Sequence, residues 1–275
     1  MVPRLVAGRR NDAAPSGAAD RDRYPVQARV GETLYLDEER VHVDVEYGFG
    51  ERCHAITVPG SLPLMKPPRC SVFLVRHGEV HNPRHVVYAD LPGFDLSANG
   101  RRQAEDAADR LPPKATIISS PLDRAVETAE IIAARSDAEV IADGALTEWG
   151  LGRRWAGHVW DDLDLDFPGE LDAYLAHPMD LPFSPESLAE LGDRVGGAIV
   201  RHRAALDGPL IFVSHQDPIQ AARLVLTGRP LAELNSDKPR HAGVVALEPR
   251  SPSPWDECGI WAPDQLPVAS RRSGT

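Results

Sequence analysis

The sequence predicts an α/β fold built around a mostly parallel central sheet. Two observations carry the prediction. Short, continuous apolar runs of the kind that fill strands covered on both faces recur between residues 70 and 250. Helical segments with start and stop signals alternate with them.

Residues 1–25, rich in Ala, Gly, Pro, Arg and Asp without apolar periodicity, read as a flexible arm. Residues 26–68 read as a small β add-on with its linker. Leu34-Tyr35-Leu36, the alternating Val41, Val43 and Val45, and Ala55-Ile56-Thr57-Val58 have strand character, and Asp37 to Arg40 turns the first pair. The main domain, 69–250, opens with the strand Val72-Phe73-Leu74-Val75. Ser97 caps a helix with Ala104, Ala107, Ala108 and Leu111 on its inner face, stopped by Pro112-Pro113. Thr116-Ile117-Ile118 is the next strand. Ser120-Pro121 supplies an N-cap and first helical residue for a helix with Ala125, Thr128, Ala129 and Ile132 on one face. Val195 to Leu206 follows as a helix, Leu210-Ile211-Phe212-Val213 as a strand, and Asp217-Pro218 as cap and first residue of another helix. After a last apolar run, Gly243 to Leu247, the Pro- and Ser-rich residues 251–275 read as a loosely ordered tail.

The chain has 275 residues, enough for one main core of roughly 150–200 residues plus an accessory piece. With 42% hydrophobic and 26% charged residues, wholesale disorder and coiled coil are disfavoured. The net charge of −11 lacks the footprint of a nucleic-acid binder, so an anionic substrate needs a locally basic pocket. Cys53, Cys70 and Cys258 are scattered and argue against a disulfide scaffold or a Cys-rich zinc site. No apolar run reaches the length of a membrane span and MVPRLVAGRR is no leader, so a cytoplasmic protein without membrane contact is expected.

In parallel sheets ligands sit beyond the carboxyl ends of strands. There the sequence places Arg76-His77-Gly78-Glu79, then Ser119, Ser120 and Arg124, then Ser214-His215-Gln216. Two arginines and two histidines at one edge suit a phosphate, since guanidinium forks match its oxygens and imidazole can attack or donate near neutral pH.

FLVRHGEV at 73–80, DLSANGRRQA at 95–104, SSPLDRAVETAEIIA at 119–133, LTEWGLGRRWAG at 146–157 and VSHQDPIQA at 213–221 resemble, block by block, the histidine phosphatase superfamily, or phosphoglycerate mutase-like family. The resemblance implies a three-layer α/β/α fold. It implies that His77 is the nucleophile that becomes a phosphohistidine, that Arg76, Arg124 and His215 clamp the phosphate, and that Glu148 is the general acid and then the base, with no cofactor and no metal. Gly78 fits a close approach of backbone to the phosphate. The sequence departs from the family pattern where Pro83 stands six residues after the nucleophile, leaving Asn82 one place early as a substrate ligand. Gln216 replaces the glycine of the family's SHG and becomes a candidate substrate contact, and Pro185-Glu186-Ser187 stands for its GES. The 67 residues from Glu148 to His215 (215 − 148) are compact for a mutase.

The expected function is hydrolysis of a small phosphorylated metabolite. The alternatives are mutase-type phosphoryl transfer, or a phosphate-binding regulator whose add-on recruits a partner; a homodimer is left open. His77, His81 and His85 recur every four residues, but Pro83 breaks the helix that a metal face would need. Trp149, Trp155 and Trp160 are expected in a pocket wall or in core packing, Asp161, Asp162, Asp164 and Asp166 on a solvated face, and Asp217 as an N-cap rather than a substrate contact.

Overall fold

The structure, a computed structural model, describes residues 70–135, 138–251 and 254–263, together with short strands at 29–30, 35–37, 40–42 and 45–46. The chain divides into two units, Met1–Pro67 and Pro68–Thr275. In the first, β1 (Arg29–Val30) pairs antiparallel with β4 (Val45–Glu46), and β2 (Tyr35–Asp37) with β3 (Arg40–His42). Asp37 faces Arg40 across the expected turn. The arm at 1–25 and the strand expected at 55–58 lie outside the described residues.

In the second unit six strands form one mixed sheet: β5 (Val72–Arg76), β6 (Thr116–Ser119), β7 (Val140–Ala142), β8 (Leu210–Ser214), β9 (Val244–Glu248) and β10 (Asp256–Trp261). Their spatial order is β10-β9-β5-β8-β6-β7. The pairs β5–β8, β8–β6 and β6–β7 are parallel, whereas β9 runs antiparallel to both of its neighbours. Strand side chains alternate between two cores because their period is two. Leu74, Ile118 and Phe212 pack with α6 (Leu188–Ala205) and α7 (Gln216–Thr227); Val75, Ile117 and Val213 pack with α1 (Ala98–Ala108) and α2 (Asp123–Ala134) on the other face. Three short helices, α3 (Gly150–Arg154), α4 (Leu163–Asp166) and α5 (Glu170–Ala176), lie in the connection between β7 and α6.

Several local expectations need correction. The helix expected from Val195 starts at Leu188. Ser187 and Glu190 form a reciprocal capping box there, and Leu188, Leu191 and Val195 continue the buried stripe. Ser120 is not the cap of α2, because Leu122 holds that position and the Ser120 hydroxyl is engaged by His215 at 2.8 Å. Asp217 is not the cap of α7 either. His215 is, and Asp217 and Pro218 already lie in the first turn, where a missing N–H breaks no intrahelical bond. Part of the expected loose tail, 256–261, is strand β10, while 264–275 lie outside the described residues.

The cysteine spacing gave no hint of pairing, yet Cys70, just before β5, and Cys258, at the irregularity in β10, form a disulfide across 188 residues with Cα atoms 6.4 Å apart. The intervening β9 ladder brings them together. Among the described residues no helix is long and apolar enough to cross a membrane.

Candidate active site

The carboxyl ends of β5, β6 and β8 deliver His77, Ser120 and His215 to one edge of the sheet, with their side chains almost fully buried. His77 is fixed through its backbone, donating to Ser214 O at 2.9 Å and accepting from Ala242 N at 3.1 Å. Its Nδ1 lies 2.8 Å from Gly78 O, an acceptor only, so the proton resides on Nδ1 and Nε2 carries the free lone pair. Arg124 Nε donates to that lone pair at 3.3 Å. Burial, and then the charges of Arg124, His215 and Arg76, hold the His77 pKa well below the usual imidazole range, leaving the ring neutral and nucleophilic.

His215 faces His77 with ring centroids 5.3 Å apart. Ser120 Oγ accepts from Leu122 N at 3.4 Å and lies 2.8 Å from His215 Nε2, a bond in which either the hydroxyl or the ring can donate. His215 Nδ1 is buried and has no hydrogen-bond partner, and Arg76 Nε shares both properties. An unmatched buried donor is costly, and an anion held in this cluster would give Arg76 Nε its missing partner. The other nitrogens of Arg76 are held by Pro239 O at 3.1 Å and by His241 at 3.0 Å. Arg124 is held by Ala89 O at 2.7 Å, with its guanidinium over the Tyr88 ring at 4.7 Å.

Glu148 enters from the loop before α3. Its Oε2 lies 3.7 Å from His215 Nδ1 and 3.8 Å from Arg124 Nη2, and its Oε1 accepts from Trp149 N at 3.0 Å. Burial raises its pKa, only partly opposed by Arg124, and Asp217 raises it further. The loop is anchored from behind. Arg194 grips Glu186 through two nitrogens at 2.6 and 2.9 Å and bonds Ala145 O at 2.8 Å, while Ser214 Oγ donates to Leu146 O at 2.7 Å.

Two sequence candidates have local structural partners. Asn82 lines the cavity, but both ends of its amide bond the backbone of Val86, at 2.8 and 3.1 Å, which fixes its own loop. Gly78 has a packing reason to be glycine: a Cβ there would lie 2.4 Å from Gly100 O, where the first turn of α1 crosses the strand end. Gln216 does line the cavity and donates to Pro239 O at 3.2 Å. His81 and His85 line it as well, but no group of three or more His, Cys, Asp and Glu side chains among the described residues is arranged to hold a metal ion.

Sequence reasoning missed Tyr88 and His241. His241 precedes β9, and because β9 runs antiparallel, its amino end lies at the edge where the parallel strands finish. A search confined to strand carboxyl ends passes over it. Its burial, and then Arg76, depress its pKa to about 4.

Arg76, His77, Tyr88, Glu148, Gln216 and His241 line one cavity of about 640 Å³ that extends along Trp149, Trp155, Trp160 and Tyr174.

A family model described as histidine phosphatase superfamily (branch 1) matches residues 72–255. An uncharacterized protein of Mycobacterium tuberculosis is 38% identical over 177 residues, 60% of this chain and 82% of that protein. A 2,3-bisphosphoglycerate-dependent phosphoglycerate mutase of Thermoplasma acidophilum is 30% identical over 152 residues, 54% of this chain and 72% of the other. Among solved structures, a mycobacterial glucosyl-3-phosphoglycerate phosphatase in complex with VO3 superposes with a TM-score of 0.62 at 27% identity, covering 70% of this chain and 98% of its own. The matched span takes in both faces of the sheet and every residue of the cluster around His77, and the chain belongs to the histidine phosphatase superfamily.

Proposed function

We propose that the protein is a phosphomonoesterase that works through a phosphohistidine on His77, without a metal. The observation that carries this reading is the pair of buried nitrogens without a hydrogen-bond partner, Arg76 Nε and His215 Nδ1, in the cluster around the lone pair of His77 Nε2. In the first step Nε2 attacks phosphorus and forms the N–P bond while the P–O bond to the alcohol breaks. Arg76, Arg124 and His215 balance the charge on the transferring group. Glu148, whose acid form burial favours, gives its proton to the departing alkoxide. In the second step the Glu148 carboxylate takes a proton from water, the water oxygen bonds phosphorus, the N–P bond breaks, and inorganic phosphate leaves.

Hydrolysis is favoured over mutase chemistry because the cavity beside the phosphate corner is walled by aromatic rings rather than by a second cluster of arginine and lysine. The test is phosphate release from a panel of phosphomonoesters in EDTA, for wild type beside His77→Ala, with rapid-quench detection of acid-labile labelled protein. Turnover that survives the chelator, disappears in the variant and passes through labelled protein is expected. Efficient interconversion of phosphoglycerates with negligible hydrolysis would replace the reading with a mutase, and absence of both activities would leave a phosphate-binding protein.

A further inference from the structure

The cavity is far larger than phosphate requires; its 640 Å³ lies within the roughly 300–1,000 Å³ typical of pockets that enclose an organic ligand. Its far wall is aromatic. Trp149 and Trp155, only 2% and 3% exposed, donate their indole N–H groups to Glu186 O at 2.8 Å and Glu170 Oε2 at 2.9 Å and back the wall from the core, which leaves Trp160 as the ring with surface to offer a ligand. Trp160, 40% exposed, stands edge-on to Trp155 and to Tyr174, each at 6.4 Å. The Tyr174 hydroxyl is closed off, donating to Asp217 at 2.9 Å and accepting from Lys238 at 2.5 Å.

The wall is also preformed. Gly157 N bonds Val87 O, Val87 N bonds His158 O and Trp160 N bonds His85 O, each at 2.8 Å, which laces the loop after β5 to the segment carrying Trp155 and Trp160. A ligand entering it meets surface already in place.

Its charge pattern narrows the ligand. Among the described residues Arg76 is the one Arg or Lys that lines the cavity, and it belongs to the phosphate corner. Three carboxylates line it: Glu79, Glu148 and Asp217. Glu79 is satisfied by Ser97 Oγ at 2.6 Å and Asn99 Nδ2 at 3.0 Å, and Asp217 by Lys238 at 2.6 Å, so neither calls for a cation from the ligand. A second anionic group on the substrate would be desolvated against carboxylates with no guanidinium or ammonium to receive it.

Resting on the phosphomonoesterase reading, we infer that the substrate is the phosphate ester of an uncharged alcohol bearing a planar aromatic ring, and not the ester of a hydroxy acid.

Three esters with alkyl leaving groups keep leaving-group chemistry out of the comparison: 2-naphthylmethyl phosphate, ethyl phosphate and 3-phosphoglycerate. The expected kcat/KM for the naphthylmethyl ester exceeds each of the others by about tenfold or more. Trp160→Ala lowers the naphthylmethyl-to-ethyl ratio by about threefold or more, and Trp160→Phe restores it. A kcat/KM for 3-phosphoglycerate equal to or above that of the naphthylmethyl ester, or a ratio unmoved by Trp160→Ala, overturns the inference. Calorimetric titration with 2-naphthylmethanol separates the two levels of the argument. Binding that Trp160→Ala weakens, with no ester hydrolysed, upholds the aromatic site and removes the hydrolytic reading; no binding alongside hydrolysis of the other esters removes the aromatic site alone.

Discussion

His241 Nε2 lies 3.0 Å from Arg76 Nη2, and because a guanidinium only donates, the histidine must offer a bare ring nitrogen there. His241, with a pKa near 4, joins His77 and His215, whose values are also depressed by burial, as three neutral imidazoles around one site. The unfolded chain protonates histidine near pH 6.5, while the folded site resists until much lower pH. Between those limits the unfolded state holds more protons and stability falls as pH falls. Glu148, with its raised pKa, works in the opposite sense and offsets part of the loss. Urea unfolding is expected to give roughly 2–4 kcal/mol less stability near pH 5.5 than near pH 7.5. A flat profile between these values would show that the histidines charge in the folded state.

Arg194 touches none of the atoms that would react, yet it bonds Ala145 O, Thr147 O and Glu186, the frame on which the Glu148 loop hangs. Arg194→Lys keeps the charge and loses the fork. We expect about 2 kcal/mol of destabilisation and a fall in kcat of about tenfold with KM little changed. The basic limb of the pH–rate profile should move as well, since Glu148 would sit in a looser setting. Equal proportional changes in kcat and KM with an unmoved pH profile would assign Arg194 to stability alone.

The strands and helices that set the sheet were legible in the sequence because each carries its own signal: Val72 to Val75 and Leu210 to Val213 are continuous apolar runs, and Ser97 is a cap whose hydroxyl accepts from Gly100 N at 2.9 Å. His77, Arg124, Glu148 and His215 were legible as chemistry at strand ends and in ordered blocks. What escaped was information held only in three dimensions. His241 needs the direction of β9 to be known, and the Cys70–Cys258 pairing needs the position of β10. Asp217 looked like a cap because Asp-Pro commonly starts a helix, but a lysine 21 positions later captures its carboxylate. The packing constraint on Gly78 was not legible, since no local pattern announces the carbonyl of Gly100.

The Cys70–Cys258 bridge ties the edge strand β10 to the start of β5, outside the cluster around His77. Closing so long a loop restricts the unfolded chain, and Cys258→Ser is expected to cost about 3 kcal/mol, or roughly 6–12 °C in Tm. Turnover at 25 °C should hold at the wild-type level, because β9 and its ladder to β5 remain. Peptide mapping without reductant should recover Cys70 and Cys258 in one linked species. A Tm that neither the substitution nor a reductant shifts would mean that the two thiols stay apart in solution.

Glu148 is partly exposed at the cavity face, but its carboxyl is pushed up mainly by burial, and that shift sets the shape of the pH profile. The proposed first step needs the acid form, so kcat/KM for alkyl esters should fall as pH rises through a value above the ordinary carboxylate range. The limb should vanish in Glu148→Gln. That variant should lose about a hundredfold or more on an alkyl phosphate, whose alkoxide cannot depart unprotonated, and far less in the phosphorylation step on p-nitrophenyl phosphate, whose phenolate leaves unaided. With the aryl ester the second step then becomes limiting, because water has lost its base, and a burst of nitrophenolate equal to the enzyme concentration should precede slow turnover. Equal losses on both esters, with no burst, would remove Glu148 from proton transfer and leave it as a partner that orients His215 and Arg124.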